Sequence, residues 1–337
     1  MSDPDEEGKK KKKGICKVVN GTAVDVNVLS ENRNSSTDPS FTKVSCDLGD
    51  TRMAALGTWP FSIPAVEKMK SLILKGQHST DCIEEAITGI ENDRETGHYI
   101  VGRGGYPNRD GLVQCDAAVM EGTPGRFGAV AALHGVGTPM AVARRVMERS
   151  THSMLVGEGA VTFAKEQGFT LEDNESMMSP ESSKAYQEFI EKNERCRGHD
   201  TLGLIALDLQ GNITVGVSTS GAPFKSPGRV GDSPLPGCGL YADNMATTGD
   251  GDKIMCFCPS FHVVQLMKQG LSPASACQTV VNDIQRRIGM GVMFQFGLMA
   301  MNMKGDVGAA SSVEFPYAFW RQGSNTVEQN IQLPLQE

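Results

Sequence analysis

The stretch TLGLIALDLQGNITVGVSTSG, from Thr201 to Gly221, limits the possible folds of this chain more than any other. Its two apolar, β-rich runs, Thr201 to Leu209 and Asn212 to Ser218, flank the turn pair Gln210-Gly211 and predict an antiparallel hairpin. What comes before is unusual. The segment RCRGHD, Arg195 to Asp200, is polar and charged, and the strand pattern begins at Thr201 with no loop residues between them. A threonine opening a buried strand is ordinarily a β-branched residue in a favourable place.

Around this hairpin the pattern alternates between helices and strands. Helices are predicted at roughly Ile63 to Lys75 and Ser79 to Asn92. In the second, Ser79 or Thr80 is the expected cap, and Cys82, Ile83, Ala86, Ile87 and Ile90 form an apolar stripe. VGRGGYPNRDGLVQCDAAVMEG reads as a Gly-rich turn, a strand and a turn. GRGG alone is a weak phosphate signal, because no helix start with the right spacing follows it. GAVAALHGVGTPMAVARRVMERS reads as a strand or loop entering a helix, with Pro139 near the first turn. Residues 170–200 have the composition of an exposed connector with one short helix, Ser183 to Asn193. Two more helices follow, SFHVVQLMKQG and SPASACQTVVNDIQRRIG, the latter opened by Ser272-Pro273, and MFQFGLMAMNMKGDVGAASS returns to strand character. Strands clustered about a hairpin, with helices before and after, predict helices on both sides of a central pair of sheets. Residues 1–54 carry a five-lysine run, Lys9 to Lys13, and read as a disordered, solvated tail. Residues 55–337 read as one domain.

Bulk properties remove several functions. A formal charge of −8 argues against a nucleic-acid binder, and no apolar run is long enough to span a bilayer. The nine cysteines are an odd number scattered through apolar segments, the usual look of reduced, buried thiols. Cys256-Phe257-Cys258 is the close pair, with strand spacing that would put both thiols on one face, but no second Cys or His pair accompanies it to make a zinc site. The start MSDPDEEGKKKKKG does not read as a secretory signal, and taken literally it implies the cytosol.

The junction at Asp200-Thr201 acquires a meaning if that bond is cut. Thr201 would then carry a free α-amine, with an unperturbed pKa of about 7.7–8.0, beside its own hydroxyl. One residue then supplies both nucleophile and general base. The cut can be intramolecular: the Thr201 hydroxyl attacks the preceding carbonyl, and His199 and Asp200 flank the bond as acid or base. The dipeptide alone does not decide this, since Asp-Thr pairs are common.

Downstream, STSGAPFKSPGRVGDSPLPGCGLYADN and TTGDGD are turn-forming clusters that present polar groups from loops on a rigid sheet. Together with GHDTLG, GTWPF at Gly57 to Phe61 and STHSMLVGEGAVTFAKEQGF at Ser150 to Phe169, they resemble the aspartylglucosaminidase (glycosylasparaginase) family of N-terminal-nucleophile hydrolases. GHDT followed at this distance by GRVGDSP is the specific part of the likeness, which runs from about Gly57 into the C-terminal region. It implies an α+β fold, the four-layer αββα sandwich, self-cleaved into an α chain ending at Asp200 and a β chain from Thr201 to Glu337.

By the resemblance Thr201 is nucleophile and base, and the Thr219 hydroxyl orients it. Arg229 holds a substrate α-carboxylate and Asp232 its ammonium. Thr248 and Gly249 supply the oxyanion donors and take part in substrate binding. Trp59 lines the pocket. Read from the residues alone, the same positions can be a polar strand end, a surface Arg–Asp ion pair, a flexible turn and a core aromatic. The implied reaction is hydrolysis of the amide joining N-acetylglucosamine to an asparagine side chain, releasing aspartate. The alternative is a plant-type asparaginase or β-aspartyl peptidase, which more often shows Gly before the Thr. No metal or cofactor is implied. The expected partners are a small glycosylated asparagine and the second chain of the same precursor, in a dimer of αβ units, with neither nucleic acid nor membrane. Animal members of the family are usually lysosomal.

Overall fold

The computed structural model describes residues 52–93, 101–192, 201–243, 246–250, 252–289 and 294–334, and the backbone of 17–19 and 22–24. For 192, 246–250 and 252 only the backbone is described. The chain divides into two units, Met1–Cys46 and Asp47–Glu337. The first contains a small antiparallel pair, β1 (Lys17–Val19) with β2 (Thr22–Val24).

In the second unit the hairpin forms the middle of a large sheet. Its strands are β7 (Leu202–Leu207) and β8 (Ile213–Thr219). β3 (Ala54–Thr58) pairs antiparallel with β7, and β4 (Cys115–Glu121) with β8. β5 (Phe127–Leu133) and β6 (Met154–Val156) extend one side; β13 (Phe315–Arg321) and β14 (Glu328–Gln332) extend the other. The order among the described residues is β14-β13-β3-β7-β8-β4-β5-β6. A second, antiparallel sheet runs β12-β11-β10-β9, formed by β9 (Leu240–Ala242), β10 (Ala246–Asp250), β11 (Gly297–Met301) and β12 (Val307–Ser311).

Both faces of the large sheet are covered, so its central strands read as nearly continuous apolar runs rather than alternating ones. Along β7, Leu202, Leu204 and Ala206 join one core cluster while Ile205 and Leu207 join another. The first cluster lies under helices α1 (Ile63–Leu74), α2 (Ser79–Asn92), α3 (Pro139–Arg149) and α4 (Gly157–Glu166). The second is shared with Leu240, Met299 and Met301 of the small sheet. On the far side of that sheet, Leu298, Ala300 and Ala310 pack with Val263, Val280 and Ile284 of α7 (Pro259–Lys268) and α8 (Pro273–Ile288). The layers are helix, sheet, sheet, helix, as the sequence predicts.

The helical boundaries follow the predicted ones closely, and Ser272 caps α8 by accepting from the Ser275 N–H. The start of α2 differs. Its cap is His78, whose Nδ1 accepts from the Thr80 N–H at 3.2 Å. Ser79 and Thr80 instead face inward, where the Ser79 hydroxyl meets Thr214 at 2.8 Å and Thr80 Oγ1 donates to Glu121 at 2.8 Å.

Residues 170–192 are more ordered than a connector. They form α5 (Asn174–Met177) and α6 (Pro180–Lys192). Met177 is buried against Val113 and Cys115, and Glu172 takes both arms of Arg103 at 2.6 Å. The GRGG turn serves that contact, with the Gly104 N–H bonded to the Met177 carbonyl.

Cys256 and Cys258 do not share a strand face. Cys256 lies in a short 3-10 turn, Asp252–Phe257, and Cys258 caps α7 in the left-handed region with φ 46°. Both are exposed free thiols, whereas Cys82, Cys115, Cys238 and Cys277 are buried free thiols. Cys16, Cys46 and Cys196 lie outside the described residues. No helix among the described residues is long and apolar enough to cross a membrane.

Candidate active site

The site forms where the hairpin opens. Thr201 stands immediately before β7 and is 4 % exposed. The ladder pairs Leu202 with Ser218, and the same register sets Thr201 opposite Thr219, which is also buried. Thr219 in turn faces Asp116 of β4. Beyond Thr219 the chain turns sharply at Gly221, with φ 75°, and the Gly221 N–H donates to Thr219 Oγ1 at 2.9 Å.

That turn requires glycine for a second reason. A Cβ at Gly221 would come within 2.6 Å of Arg229 Nη1, so the missing side chain makes room for the guanidinium. The register and this turn therefore bring Thr201, Thr219 and Arg229 into one neighbourhood. Asp232 is buried three residues later, and its carbonyl accepts from the Leu235 and Gly239 N–H groups. Thr248 and Gly249 are not on a flexible turn. They lie in β10, where Thr248 pairs with Leu240 and Met299 and Gly249 with Leu298. β10 packs across β7 and β8. Asp200 and His199, the two flanking residues of the expected cleavage, lie outside the described residues.

Trp59 reaches this end of the sheet through its neighbour. Thr58 Oγ1 donates to the Thr201 carbonyl at 2.6 Å and accepts from the Gly203 N–H at 2.9 Å. Trp59 adopts φ 62°, a conformation costly for a non-glycine residue, and its ring meets Phe315 edge to face at 5.0 Å. Its indole N–H has no acceptor among the described residues.

Several charged groups behind the site escaped the sequence reading. Lys225 is buried, donates to the Gln114 carbonyl at 2.9 Å and lies 4.0 Å from Asp116 Oδ2. Burial lowers its pKa, against the opposing pull of Asp116. Asp116 Oδ1 accepts from the Ala132 N–H at 2.7 Å. Glu91 accepts from Ser218 Oγ at 2.7 Å and from the Met140 N–H at 3.0 Å, and burial pushes its carboxyl up to about 8. Nothing local marks these residues as buried. Their partners lie on other strands and helices. Among the described residues no His, Cys, Asp and Glu cluster is arranged to hold a metal ion.

A family model described as "Asparaginase" matches residues 62–331. This chain belongs to the asparaginase family. Its similarity to individual asparaginase-family proteins extends over most of its length. It is 37 % identical over 287 residues to the N(4)-(beta-N-acetylglucosaminyl)-L-asparaginase of Elizabethkingia miricola, covering 81 % of this chain and 83 % of that protein. To the protein of the same name from Rattus norvegicus it is 36 % identical over 291 residues, covering 76 % and 83 %. To that of Mus musculus it is 35 % identical over 271 residues, covering 68 % and 77 %. The αββα layering is therefore the scaffold of an asparaginase-family hydrolase, and the candidate residues gather at the open end of the hairpin.

Proposed function

We propose that the protein cuts itself between Asp200 and Thr201 and then hydrolyses the amide between N-acetylglucosamine and an asparagine side chain. The observation that carries the reading is the position of Thr201 at the head of β7, facing Thr219 by register. A residue at the start of a buried central strand is held on both sides by the sheet, and cleavage there leaves its amine and hydroxyl at the strand's end. The names of the relatives support the choice of substrate.

In maturation, Thr201 Oγ1 attacks the Asp200 carbonyl carbon, the peptide shifts to an ester, and water opens the ester. The products are an Asp200 carboxylate and a Thr201 α-amine. In turnover that amine takes the hydroxyl proton as Oγ1 attacks the side-chain carbonyl of the substrate. Thr248 and the Gly249 N–H hold the developing oxyanion, an effect typically worth about 2.7–4 kcal/mol per donor. The glycosylamine leaves with a proton, and water hydrolyses the acyl ester to aspartate. Arg229 grips the α-carboxylate with two parallel bonds, Asp232 accepts from the α-ammonium, and Trp59 lines the pocket. The two chains remain one αβ unit, and two such units form the dimer. A lysosome-type compartment suits glycoprotein breakdown by this reaction.

The test is direct. On a denaturing gel the purified protein runs as two fragments, the smaller beginning Thr-Leu-Gly. Offered glycosylated asparagine, free asparagine and a β-aspartyl dipeptide together, it consumes the first fastest. Preference for either of the other two would move the assignment to an asparaginase or an isoaspartyl peptidase.

A further inference from the structure

We infer that Thr58 is a positioning residue for the nucleophile, holding Thr201 through its main chain. The inference rests on the proposed role of Thr201. It begins with the way β3 ends. The ladder between β3 and β7 runs through Gly57 opposite Leu204, and the next pair in the same register is Thr58 with Gly203. On its other edge β3 continues one residue further, with Thr58 opposite Tyr317 and the Trp59 N–H donating to the Pro316 carbonyl at 3.0 Å.

The main chain cannot complete the pair with β7, because it turns away at Trp59 (φ 62°, ψ 160°) into the turn Pro60–Ser62. The Ser62 hydroxyl closes that turn on the Trp59 carbonyl at 2.7 Å. Gly57 allows the turn to fold back, since a Cβ there would lie 2.6 Å from Ser62 Oγ and 2.9 Å from Leu204. The Thr58 side chain takes the place of the missing ladder bonds. Its hydroxyl has one hydrogen and two lone pairs, and it uses them in both directions: donating to the Thr201 carbonyl at 2.6 Å and accepting from the Gly203 N–H at 2.9 Å.

Those two groups bracket Leu202 and fix the orientation of the peptide that leaves Thr201. At 1 % exposure no water competes for them, and the hydroxyl can point its hydrogen only at the carbonyl. With the carbonyl side of Thr201 held, rotation about its own bonds is the remaining freedom of the amine and Oγ1. Misplacement by about 1 Å can cost on the order of 10²-fold in rate. Thr58 therefore acts on Thr201 without contacting substrate, and its loss falls on kcat rather than KM.

The experiment compares Thr58→Ser, Thr58→Cys and Thr58→Val, with turnover divided by the number of Thr201 amino termini counted in each preparation. Glycosylated asparagine is the substrate. Ser keeps both bonds, Cys offers only a weak S–H donor, and Val offers neither. The expected order of kcat is Thr, Ser, Cys, Val, with Ser within about threefold of the wild type and Val lower by about 10²-fold, while KM stays within about twofold. If Val does not fold, the Ser and Cys variants still decide: equal kcat for the two overturns the inference. A Val variant with wild-type kcat, or a loss seen in KM alone, overturns it as well. Thr201→Ala is measured alongside. If that variant still hydrolyses substrate, the nucleophile assignment itself fails; if it is inert while the Thr58 series is flat, only the positioning role fails.

Discussion

At its turn the β7–β8 hairpin is closed by a carboxylate, whereas at its open end it is held by hydroxyls. Asp208 accepts from the Gln210 and Asn212 N–H groups, from the Asn212 side chain and, at the start of α2, from the Ser79 N–H at 2.8 Å. The acid is buried, and donors surround both of its oxygens. The open end has Thr58, Thr201, Thr219 and Ser218, with Glu91 behind Ser218. Glu91 accepts on Oε1 alone, and Oε2 has no partner among the described residues. Burial without enough donors keeps its proton on at neutral pH, so it places no fixed negative charge behind the end proposed to hold the oxyanion. A buried acid encircled by N–H groups anchors a turn; one that is thinly supplied becomes a neutral part of the site's wall.

Substitutions at the two ends should therefore fail differently. The largest effect is expected for Thr201→Ala, which leaves a single uncut band and lowers turnover by about 10⁴-fold or more. Its urea midpoint should stay close to that of the wild type; a midpoint collapse would make the open end as structural as the turn. Arg229→Lys should still be cut, with KM for glycosylated asparagine raised by about 10²-fold, because a point charge cannot reproduce a planar fork. An unchanged KM would remove Arg229 from the site.

Asp208→Ala sharpens the contrast from the other side. It strands several buried donors and should lower unfolding free energy by about 3 kcal/mol, with kcat per folded, cut molecule preserved. Glu91→Gln is the subtlest. The Glu91 carboxyl is raised from the ordinary 4.5 to about 8, so between those values the unfolded chain has lost a proton that the folded one retains. Stability must then fall as pH rises through that window and level off above it. Removing the titration should flatten the difference in unfolding free energy between pH 5 and pH 8 by about 3–4 kcal/mol. An identical slope in both proteins would mean that Glu91 does not hold its proton.

The hairpin, the helices on either side and the sandwich could be read in the sequence because each follows from a short-range pattern. Ile83, Ala86, Ile87 and Ile90 repeat at helical spacing, and all four are buried beneath α2. The long segment before the junction was harder. SMMSPESSKAY looks solvated, yet Met177 and Ser182 are buried because distant chain, Val113 and Cys115 for Met177, comes to cover this region. The same limit applies to the site. Thr201, Thr219, Arg229 and Asp232 lie within a single stretch of sequence, so the sequence presents them together. Thr58 was not, although it stands inside the GTWPF motif beside Trp59. Its partners are 143 and 145 residues away, a separation that only strand register closes. His78 escaped as a cap for a related reason: Ser79 and Thr80 are the better cappers by type, but buried partners at Thr214 and Glu121 draw their hydroxyls inward.

The strand order of the large sheet has an outcome for the proposed cleavage at Thr201. β3 lies between β13 and β7, and β4 lies against β8, so a strand from before Thr201 is inserted among strands from after it. With the link at Thr201 cut as proposed, no disulfide among the described residues ties the fragments together after denaturation. Refolding from urea then becomes a second-order encounter whose yield climbs with protein concentration, while the uncut Thr201→Ala chain regains its shape at the same rate however dilute.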